Sequence, residues 1–352
     1  MERITMNEDR KPLVSILCIT YNHERYIGDA IEGFLKQETD FSFEIIVQDD
    51  ASIDKTADII REYEKKYPKI IKPIYNKENQ YSKCPSSIIL PLLKASKGKY
   101  IAFCEGDDYW TDPLKLQKQI KEMKKHPECL LSFHPAIEKY EDGGNKNKIL
   151  CSHSKKNKIF TIEEVISNGG GFIPSASLVI NAEVLPRIIS FFETNAKEVS
   201  VGDIYIQILG SENGGALYLS DVMSVYRICS DSWTDTTNNT LNQFSSEPIY
   251  TLTGFNEIDA FTNYKYTELF ANIKRRNISE IIITVNMNLP MKKIIYNHYK
   301  NELSVKDKIL WNTIFKYQII VKIIKTVQKL AISLTHFPVV PQDKTDNPSQ
   351  KI

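Results

Sequence analysis

The sequence has no excess of charge of either sign. Its 352 residues include 45 lysines and arginines and 44 aspartates and glutamates, which leaves a net charge of +1. Proteins that bind nucleic acid over a broad surface usually carry a basic excess, so we predict no nucleic acid partner. With 42% hydrophobic and 25% charged residues, the composition also excludes a disordered, collagen-like or disulfide-stapled chain.

Long apolar runs are also missing. No uncharged apolar stretch approaches the ~18 residues that a membrane-spanning helix needs, and residues 1–11 form a polar tail without the apolar core of a signal peptide. The six cysteines include no Cys-x-x-Cys pair. We therefore predict a cytoplasmic protein with reduced, mostly buried thiols. The cysteines are Cys18, Cys84, Cys104, Cys129, Cys151 and Cys229.

Short β-branched runs alternate with stretches of helical periodicity from Leu13 to Leu131. This alternation is typical of parallel strands joined by crossover helices, so the predicted fold class is α/β, with a sheet flanked by helices. The predicted strands are Val14–Thr20, Phe43–Gln48, Ile70–Tyr75, Tyr100–Cys104 and Leu130–Phe133. The predicted helices are Arg25–Leu35, Ala57–Tyr67 and Pro113–Lys125.

The next segment begins with a polar break, Glu138–Lys158, which predicts a loop or a weak hairpin. Thr161 and Glu164 then have the spacing of a capping box. Further on we predict a strand at Ser177–Ile180, a helix at Glu183–Phe192, a helix from Asp203, a strand at Ala216–Tyr226 and helices beyond Asn238.

Carboxylates follow two of the predicted strands, Asp49 and Asp50 after the second and Glu105, Asp107 and Asp108 after the fourth. Ligands of open α/β sheets bind beyond the carboxyl ends of the strands. Crowded carboxylates persist most readily where a cation or a ligand donor neutralises them, and the second cluster suits Mg²⁺ or Mn²⁺. The alternative is that Asp49 and Asp108 cap the helices that follow.

Three segments together resemble the family 2 glycosyltransferases, bacterial enzymes that build capsular, exopolysaccharide and lipopolysaccharide glycans on a GT-A fold. They are Pro12–Gln37, Glu44–Ile60 and Gly98–Gln119, in the order and spacing of that family. The resemblance implies a mixed sheet of the Rossmann-like, nucleotide-sugar-binding kind with a helical C-terminal extension. It places the GT-A domain at residues 12–238, with a donor half at 12–135 and an acceptor half at 136–238.

The resemblance also implies roles at the first two strand ends. Tyr21 and the backbone around Ile19 would contact the donor base, and Asp50 would accept a hydrogen bond from a uracil ring nitrogen while Asp49 holds the turn. From its position alone, Tyr21 is either a stacking platform or an ordinary packed aromatic. Lys83 is the candidate substitute for an arginine that many relatives use to bind the nucleotide.

Glu105, Asp107 and Asp108 resemble the metal-binding and ribose-binding acids of the family. Asp107 corresponds to the last acid of the DxD pattern and is the favoured ligand for Mn²⁺ or Mg²⁺, although an alignment anchored on Pro113 favours Asp108. Asp203 corresponds to the catalytic base, which takes a proton from the acceptor hydroxyl as that oxygen attacks the anomeric carbon. The alternative for Asp203 is a helix N-cap.

Two departures from the family pattern concern the donor, namely the missing arginine for which Lys83 is the candidate substitute and the residue at position 229. Relatives often carry a metal-binding histidine where this chain has Cys229, and a thiol suits Mg²⁺ or Mn²⁺ poorly. Arg227, two residues earlier, either steadies the diphosphate or forms a structural ion pair. Trp233 would line the acceptor side.

The C-terminal region, residues 239–340, is predicted to be helical and is followed by a disordered tail at 341–352. Between Met291 and Leu330, nine lysines and two acids interleave with a broad apolar face that begins at Trp311. Such a helix either lies on an anionic membrane surface or packs on the catalytic domain. The first alternative would give the protein a peripheral membrane contact through residues 291–334.

The leading functional hypothesis is an inverting, metal-dependent transferase. It would move a sugar from a nucleotide donor, first of all a UDP-sugar, to a hydroxyl of a growing glycan or a lipid-linked oligosaccharide. A sugar nucleotidyltransferase is the less favoured alternative, because Thr20–Glu24 replaces the glycine-rich phosphate loop that such an enzyme needs. A non-catalytic relative that binds nucleotide sugar or glycan is a third hypothesis, motivated by Cys229.

Overall fold

An eight-stranded mixed sheet forms the centre of the fold. The computed structural model describes residues 11–141, 148–199, 202–228, 247–283, 289–301 and 303–316. The first half of the chain contributes β1 (Val14–Thr20), α1 (Ile27–Leu35), β2 (Phe43–Asp49), α2 (Thr56–Lys66), β3 (Ile71–Tyr75), a 3-10 turn (Pro85–Ile89), α3 (Leu90–Ala95), β4 (Tyr100–Phe103), β5 (Tyr109–Trp110), α4 (Lys115–Lys125) and β6 (Leu131–Phe133).

The second half adds a smaller sheet and the remaining helices. Its strands are β7 (Ala136–Tyr140), β8 (Lys148–Leu150), β9 (Lys158–Phe160), β10 (Val179–Asn181), β11 (Ala216–Tyr218) and β12 (Ser224–Ile228). Its helices are α5 (Ile162–Asn168), α6 (Leu185–Asn195), α7 (Asp203–Ser211), α8 (Glu247–Phe261), α9 (Thr267–Ile283), α10 (Leu289–Tyr299) and α11 (Val305–Lys316).

The large sheet has the strand order β3-β2-β1-β4-β10-β6-β11-β9. β1 is parallel to both β2 and β4, and Thr20 at its end lies opposite Asp49. The carboxyl ends of β1, β2 and β4 therefore share one edge of the sheet. β10 inserts antiparallel between β4 and β6, so the predicted mixed sheet flanked by helices is confirmed.

The strand predicted at Ala216–Tyr226 is wrong in one respect, because two strands occupy it. β11 lies in the large sheet, whereas β12 lies in a four-stranded sheet of order β5-β12-β7-β8. The chain leaves the large sheet at Ser220, whose backbone nitrogen and hydroxyl both bond to the side chain of Asn157. Periodicity does not report this change of sheet, since most residues of both strands are buried.

Other local predictions are confirmed. Thr161 and Glu164 form the capping box at the start of α5, and α7 begins at Asp203. The polar segment after Glu138 contains a hairpin, in which β7 pairs antiparallel with β8. The helix predicted at Glu183–Phe192 begins with a 3-10 turn and continues as α6.

Helices cover the large sheet with apolar faces. In α1, Ile27, Ala30, Ile31 and Phe34 are all fully buried, as expected for side chains three and four residues apart on one face. The core consists of two apolar clusters of buried side chains. Phe255 of α8 and Phe270 of α9 belong to one of them, so this part of the C-terminal region packs on the same core.

The chain divides into two compact units between Asn277 and Ile278. In the second unit, Tyr296 of α10 stacks on Trp311 of α11 with ring centroids 4.3 Å apart. Trp311 is thus buried by intramolecular packing and does not lie on an open apolar face. The rest of that predicted face, from residue 317 onward, lies outside the described residues, as do Cys229, Trp233 and the terminal tails.

In the part of the chain that the structure describes, no helix is long and apolar enough to span a bilayer. Five cysteines fall within that part, all of them free, and Cys18, Cys104 and Cys129 are buried. The prediction of reduced and mostly buried thiols agrees with these positions.

Candidate active site

The loops that follow β1 and β2 are tied together. The backbone nitrogen of Asn22 donates to Ser52 Oγ at 2.9 Å, and Asn22 Oδ1 accepts from the backbone nitrogen of Ile53 at 2.9 Å. Asn22 adopts a positive φ of 55°, which asparagine tolerates better than most side chains. This turn leaves Tyr21 39% exposed at the sheet edge, where its ring is open to a stacking partner.

Asp50 is fully buried and organises the segment after β3. Its Oδ1 accepts from Asn76 Nδ2 at 2.7 Å and from the Gln80 backbone nitrogen at 2.8 Å, and its Oδ2 accepts from the Tyr81 backbone nitrogen at 2.9 Å. Asp49 is also buried and accepts from the Ser52 backbone nitrogen. Both carboxylates therefore hold turns, and a contact of Asp50 with a uracil ring stays a prediction.

Lys83 lies in the same segment, with its side chain half exposed and paired with Glu78. The cation predicted to contact the nucleotide is thus present near Asp50, but a neighbouring carboxylate already neutralises it.

The segment Glu105–Asp108, here named the acid loop, follows β4. Gly106 donates its backbone N–H to Ile19 O at 2.9 Å, so the loop lies against the end of β1. A Cβ atom on Gly106 would fall 2.5 Å from Thr20 Oγ1 and 3.0 Å from His23 Nδ1. The absence of a side chain at Gly106 is what permits this close approach.

Asp107 and Asp108 differ in their surroundings. Asp107 Oδ2 lies 4.0 Å from His23 Nε2, whereas Asp108 is 1% exposed and accepts from the Arg227 backbone nitrogen at 2.9 Å. Asp107 Oδ1 and Asp108 Oδ2 are both buried without a hydrogen-bond partner among the described residues. Burial, together with Asp107 and Glu105, raises the pKa of Asp108 well above its usual range.

Glu105 and Asp203 line the same cavity. Glu105 is accessible within the cleft, but the surrounding protein, with Asp107 and Asp203, raises its pKa to about 8. Burial also raises the pKa of Asp203, the first residue of α7. The structure thus brings the predicted base, one predicted acid and Ile19 to one cavity.

Arg227 is committed to internal contacts. Its guanidinium donates to Asp29, to Glu141 Oε1 at 3.0 Å and to Asp107 O at 3.0 Å. It also lies over the rings of Tyr26 and Tyr109, 5.1 and 4.4 Å from their centroids. Of the two roles left open by the sequence, the structure shows the ion pair, which anchors the acid loop to α1 and β12.

His23 is a site residue to which sequence reasoning gave no role. It faces Asp107, and its Nδ1 is buried without a hydrogen-bond partner among the described residues. The contact of His23 with the acid loop depends on the pairing of β1 with β4, so it leaves no local signal in the sequence. The only sequence signal was the position of His23 two residues after Tyr21.

The acid loop has the donor chemistry for a hard divalent cation. Oxygen ligands from one or two carboxylates suffice for Mg²⁺ or Mn²⁺ when substrate phosphates complete the shell, and Asp107 and Asp108 each offer an unpartnered oxygen. Across the described ranges, no three histidine, cysteine or acidic side chains converge into a complete protein cage. The residues therefore fit a metal that is held jointly with a phosphate ligand.

A mixed sheet whose central parallel strands end in carboxylates defines an α/β protein of GT-A architecture. Solved structures agree, since a mannosyltransferase from Pyrobaculum calidifontis, determined with GDP-Man and Mn²⁺, superposes with a TM-score of 0.52. That comparison covers 94% of this chain and 87% of the other at 12% identity, so it supports the fold alone.

Sequence comparisons point to one family. Residues 15–178 match the family model described as Glycosyl transferase family 2. An uncharacterised protein of Mycobacterium tuberculosis is 36% identical over 214 residues, which are 61% of this chain and 58% of that protein. Residues 15–178 are therefore similar to the family 2 glycosyltransferases, and the chain spans somewhat more than half the length of this relative.

A relative from Escherichia coli has a named reaction. The UDP-Glc:alpha-D-GlcNAc-diphosphoundecaprenol beta-1,3-glucosyltransferase WfaP is 38% identical over 112 residues, which are 32% of this chain and 41% of WfaP. The matched part is about a third of this chain, so the reaction in the name of WfaP belongs to WfaP alone.

Proposed function

We propose that the protein is an inverting, metal-dependent glycosyltransferase that uses a nucleotide-sugar donor, first of all a UDP-sugar. The observation that carries the proposal is that Asp203 and Glu105, the first residue of the acid loop, line the same cavity. The name of WfaP gives UDP-glucose as its donor, which supports uracil as the nucleobase of the donor.

Asp203 is the proposed general base. It takes the proton of the acceptor hydroxyl while that oxygen forms a bond to the anomeric carbon and the bond to the diphosphate breaks. One carboxylate suffices for such a single displacement, in contrast to the two carboxylates of glycoside hydrolysis. The raised pKa of Asp203 makes its carboxylate a stronger base than an exposed aspartate.

The acid loop is the proposed diphosphate site. Asp107 and Asp108 would hold the cation through their unpartnered oxygens. A bound Mn²⁺ or Mg²⁺ would neutralise the charge of the departing diphosphate. Tyr21 would stack on the nucleobase of the donor. Arg227 would keep the acid loop in position through Asp29 and Glu141.

The acceptor is proposed to be a growing glycan or a lipid-linked oligosaccharide, and the name of WfaP, which gives GlcNAc-diphosphoundecaprenol as its acceptor, supports a lipid-linked sugar. The second unit supports a peripheral membrane contact, because Ile294, Val305 and Ile309 are exposed there next to Lys293, Lys306 and Lys308. Co-sedimentation with phosphatidylglycerol vesicles, compared with phosphatidylcholine vesicles, tests this contact. Equal binding to both, or to neither, would contradict it.

Calorimetry tests the donor site. UDP, GDP and TDP are titrated into the wild type and into Asp107→Ala, each with and without Mn²⁺. We expect Mn²⁺-dependent binding of one nucleotide to the wild type and its loss in Asp107→Ala. Absence of nucleotide binding under every condition would contradict the proposal and favour a non-catalytic role.

Asp203→Asn tests the catalytic base with an isosteric change. We expect nucleotide affinity to be retained and turnover to fall about 10²–10⁴-fold, the usual contribution of a general base. Wild-type turnover in this variant would remove Asp203 from the mechanism. Asp221→Asn, at an exposed aspartate paired with Lys118, is the matched control.

A further inference from the structure

The cavity beside Asp203 is predominantly apolar. It encloses about 130 Å³ between the ends of β1 and β4, the 3-10 turn Pro85–Ile89 and α7. Leu17, Phe103, Leu178 and Ile206 belong to a buried core cluster, so one wall of the cavity continues into the hydrophobic core. The apolar residues that line it include Ile19, Ile88, Ile89, Phe103, Leu178 and Ile206.

The polar side chains that line the cavity besides the carboxylates are those of Tyr81, Ser86, Cys104 and Ser175. The Ser86 hydroxyl donates to the backbone oxygen of Ala196, and the Cys104 thiol is only a weak hydrogen-bond donor. The two carboxylates, Glu105 and Asp203, are the charged groups that line the cavity. A sugar placed here meets acceptors for some of its hydroxyls and hydrocarbon over the rest of its surface.

The volume limits the size of the sugar. At ~10–15 Å³ per water, 130 Å³ corresponds to about ten waters, which is space for a single monosaccharide group. An N-acetylhexosaminyl group would bring an amide that needs its own hydrogen-bond partners.

We propose that the donor sugar is a 6-deoxyhexose whose methyl group packs on Ile88, Ile89 and Ile206. The inference rests on the proposed glycosyltransferase function and specifies its donor class. A methyl group is stabilised by burial against these three isoleucine side chains. The hydroxymethyl group of the parent hexose would lose a hydrogen bond to water there, and the isoleucine side chains cannot replace it. Ile88 and Ile89 thereby act as specificity-determining residues.

Matched donor pairs test the proposal without knowledge of the acceptor. UDP-glucose with UDP-6-deoxyglucose, GDP-mannose with GDP-6-deoxymannose, and dTDP-glucose with dTDP-6-deoxyglucose are supplied to the full chain with Mn²⁺. Release of the nucleoside diphosphate by hydrolysis is followed for each donor. In the pair whose base the protein accepts, we expect kcat/KM for the 6-deoxy donor to exceed that of the hexose donor about 10–100-fold.

A variant assigns the preference to the apolar wall. Ile88→Thr keeps a β-branched side chain and adds a hydroxyl, so it should lower the ratio of the two kcat/KM values at least about fivefold by accepting the hexose better. Val184→Thr is the control, because Val184 is as well buried as Ile88 but does not line the cavity. Circular dichroism of both variants verifies that they fold.

The possible outcomes are distinct. A ratio near one, or a preference for the hexose in every accepted pair, overturns the 6-deoxy proposal and leaves the transferase function intact. A preference that Ile88→Thr and Val184→Thr change equally overturns the role of the wall. Failure to bind or hydrolyse any nucleotide sugar overturns the proposed function itself, and the donor class with it.

Discussion

The side-chain nitrogen of Lys115 lies 3.9 Å from the ring centroid of Trp110. Lys115 is fully buried at the start of α4, and its nitrogen has no hydrogen-bond partner among the described residues. Trp110 Nε1 in turn donates to Ala176 O at 2.8 Å. The pair thus connects α4 with β5, next to the acid loop, and with the 3-10 turn Ser175–Ser177, of which Ser175 lines the cavity.

Burial lowers the pKa of Lys115 to about 7, against a weaker opposing effect of Cys104. The unfolded chain keeps a pKa near 10.5 and therefore binds more protons than the folded chain between these values. The free energy of unfolding should rise with pH from about 7 to about 10.5, by at most ~1.4 kcal/mol per pH unit. Lys115→Met has no amine at this position, so its free energy of unfolding should lack this part of the pH dependence. Urea unfolding of both proteins from pH 6.5 to 9.5 measures it, and a difference that stays constant with pH would contradict it.

Gly106 should be intolerant of any side chain. In Gly106→Ala the new Cβ would meet Thr20 Oγ1 at 2.5 Å, so the acid loop must shift away from β1. We expect Mn²⁺-dependent nucleotide affinity to fall at least about tenfold, measured by calorimetry. Gly171→Ala is the matched control, because a Cβ there meets nothing within 4 Å. Partial recovery of affinity in Gly106→Ala with Thr20→Ala would identify the contact, and normal affinity in Gly106→Ala would contradict the prediction.

The parts of the site that follow strands were predictable from sequence. The acid loop and Asp49–Asp50 come directly after β-branched runs, and parallel pairing brings such strand ends to one edge. Asp203 could be placed because the family resemblance assigns the catalytic base to this position, and a helix was predicted to begin there, as α7 does. These assignments depend on the order of the elements along the chain, which periodicity and family resemblance both report.

The partners of buried side chains could not be predicted in the same way. Arg227 pairs with Asp29 of α1 although 198 residues separate them, and the burial of Asp50 depends on the path of the segment after β3. The change of sheet between β11 and β12 was missed for the same reason. Such contacts depend on tertiary packing, and no spacing in the sequence encodes them.

Arg227 should contribute to stability more than an exposed arginine. Its side chain is 3% exposed and bridges Asp29 and Glu141, which are 61% and 23% exposed. Arg227→Met therefore removes charge-assisted hydrogen bonds but leaves carboxylates that water reaches, and we expect it to cost about 1.5–3 kcal/mol. Arg61 also pairs with an aspartate and lies over a tyrosine ring, but it is 50% exposed. Arg61→Met should cost only about 0–1 kcal/mol. Equal losses in urea unfolding would show that burial of the Arg227 pair adds nothing.

Protons should compete with the metal at Glu105. The surrounding protein, with Asp107 and Asp203, raises the pKa of Glu105 to about 8 although the side chain is accessible within the cleft, so this carboxyl is mainly protonated at pH 6.5. A divalent cation beside the acid loop favours the deprotonated form, and Mn²⁺ affinity in the presence of UDP should therefore rise as the pH increases towards 8. The rise should be at most about tenfold per pH unit.

Calorimetry in two buffers of different ionisation enthalpy measures the protons released on Mn²⁺ binding. We expect more protons to be released at pH 6.5 than at pH 9. Glu105→Gln should reduce this difference, whereas Glu38→Gln, at an exposed glutamate, should leave it unchanged. An Mn²⁺ affinity that is the same at pH 6.5 and pH 9 would mean that the proton on Glu105 does not oppose the metal, and the acid would then serve the donor sugar or the fold.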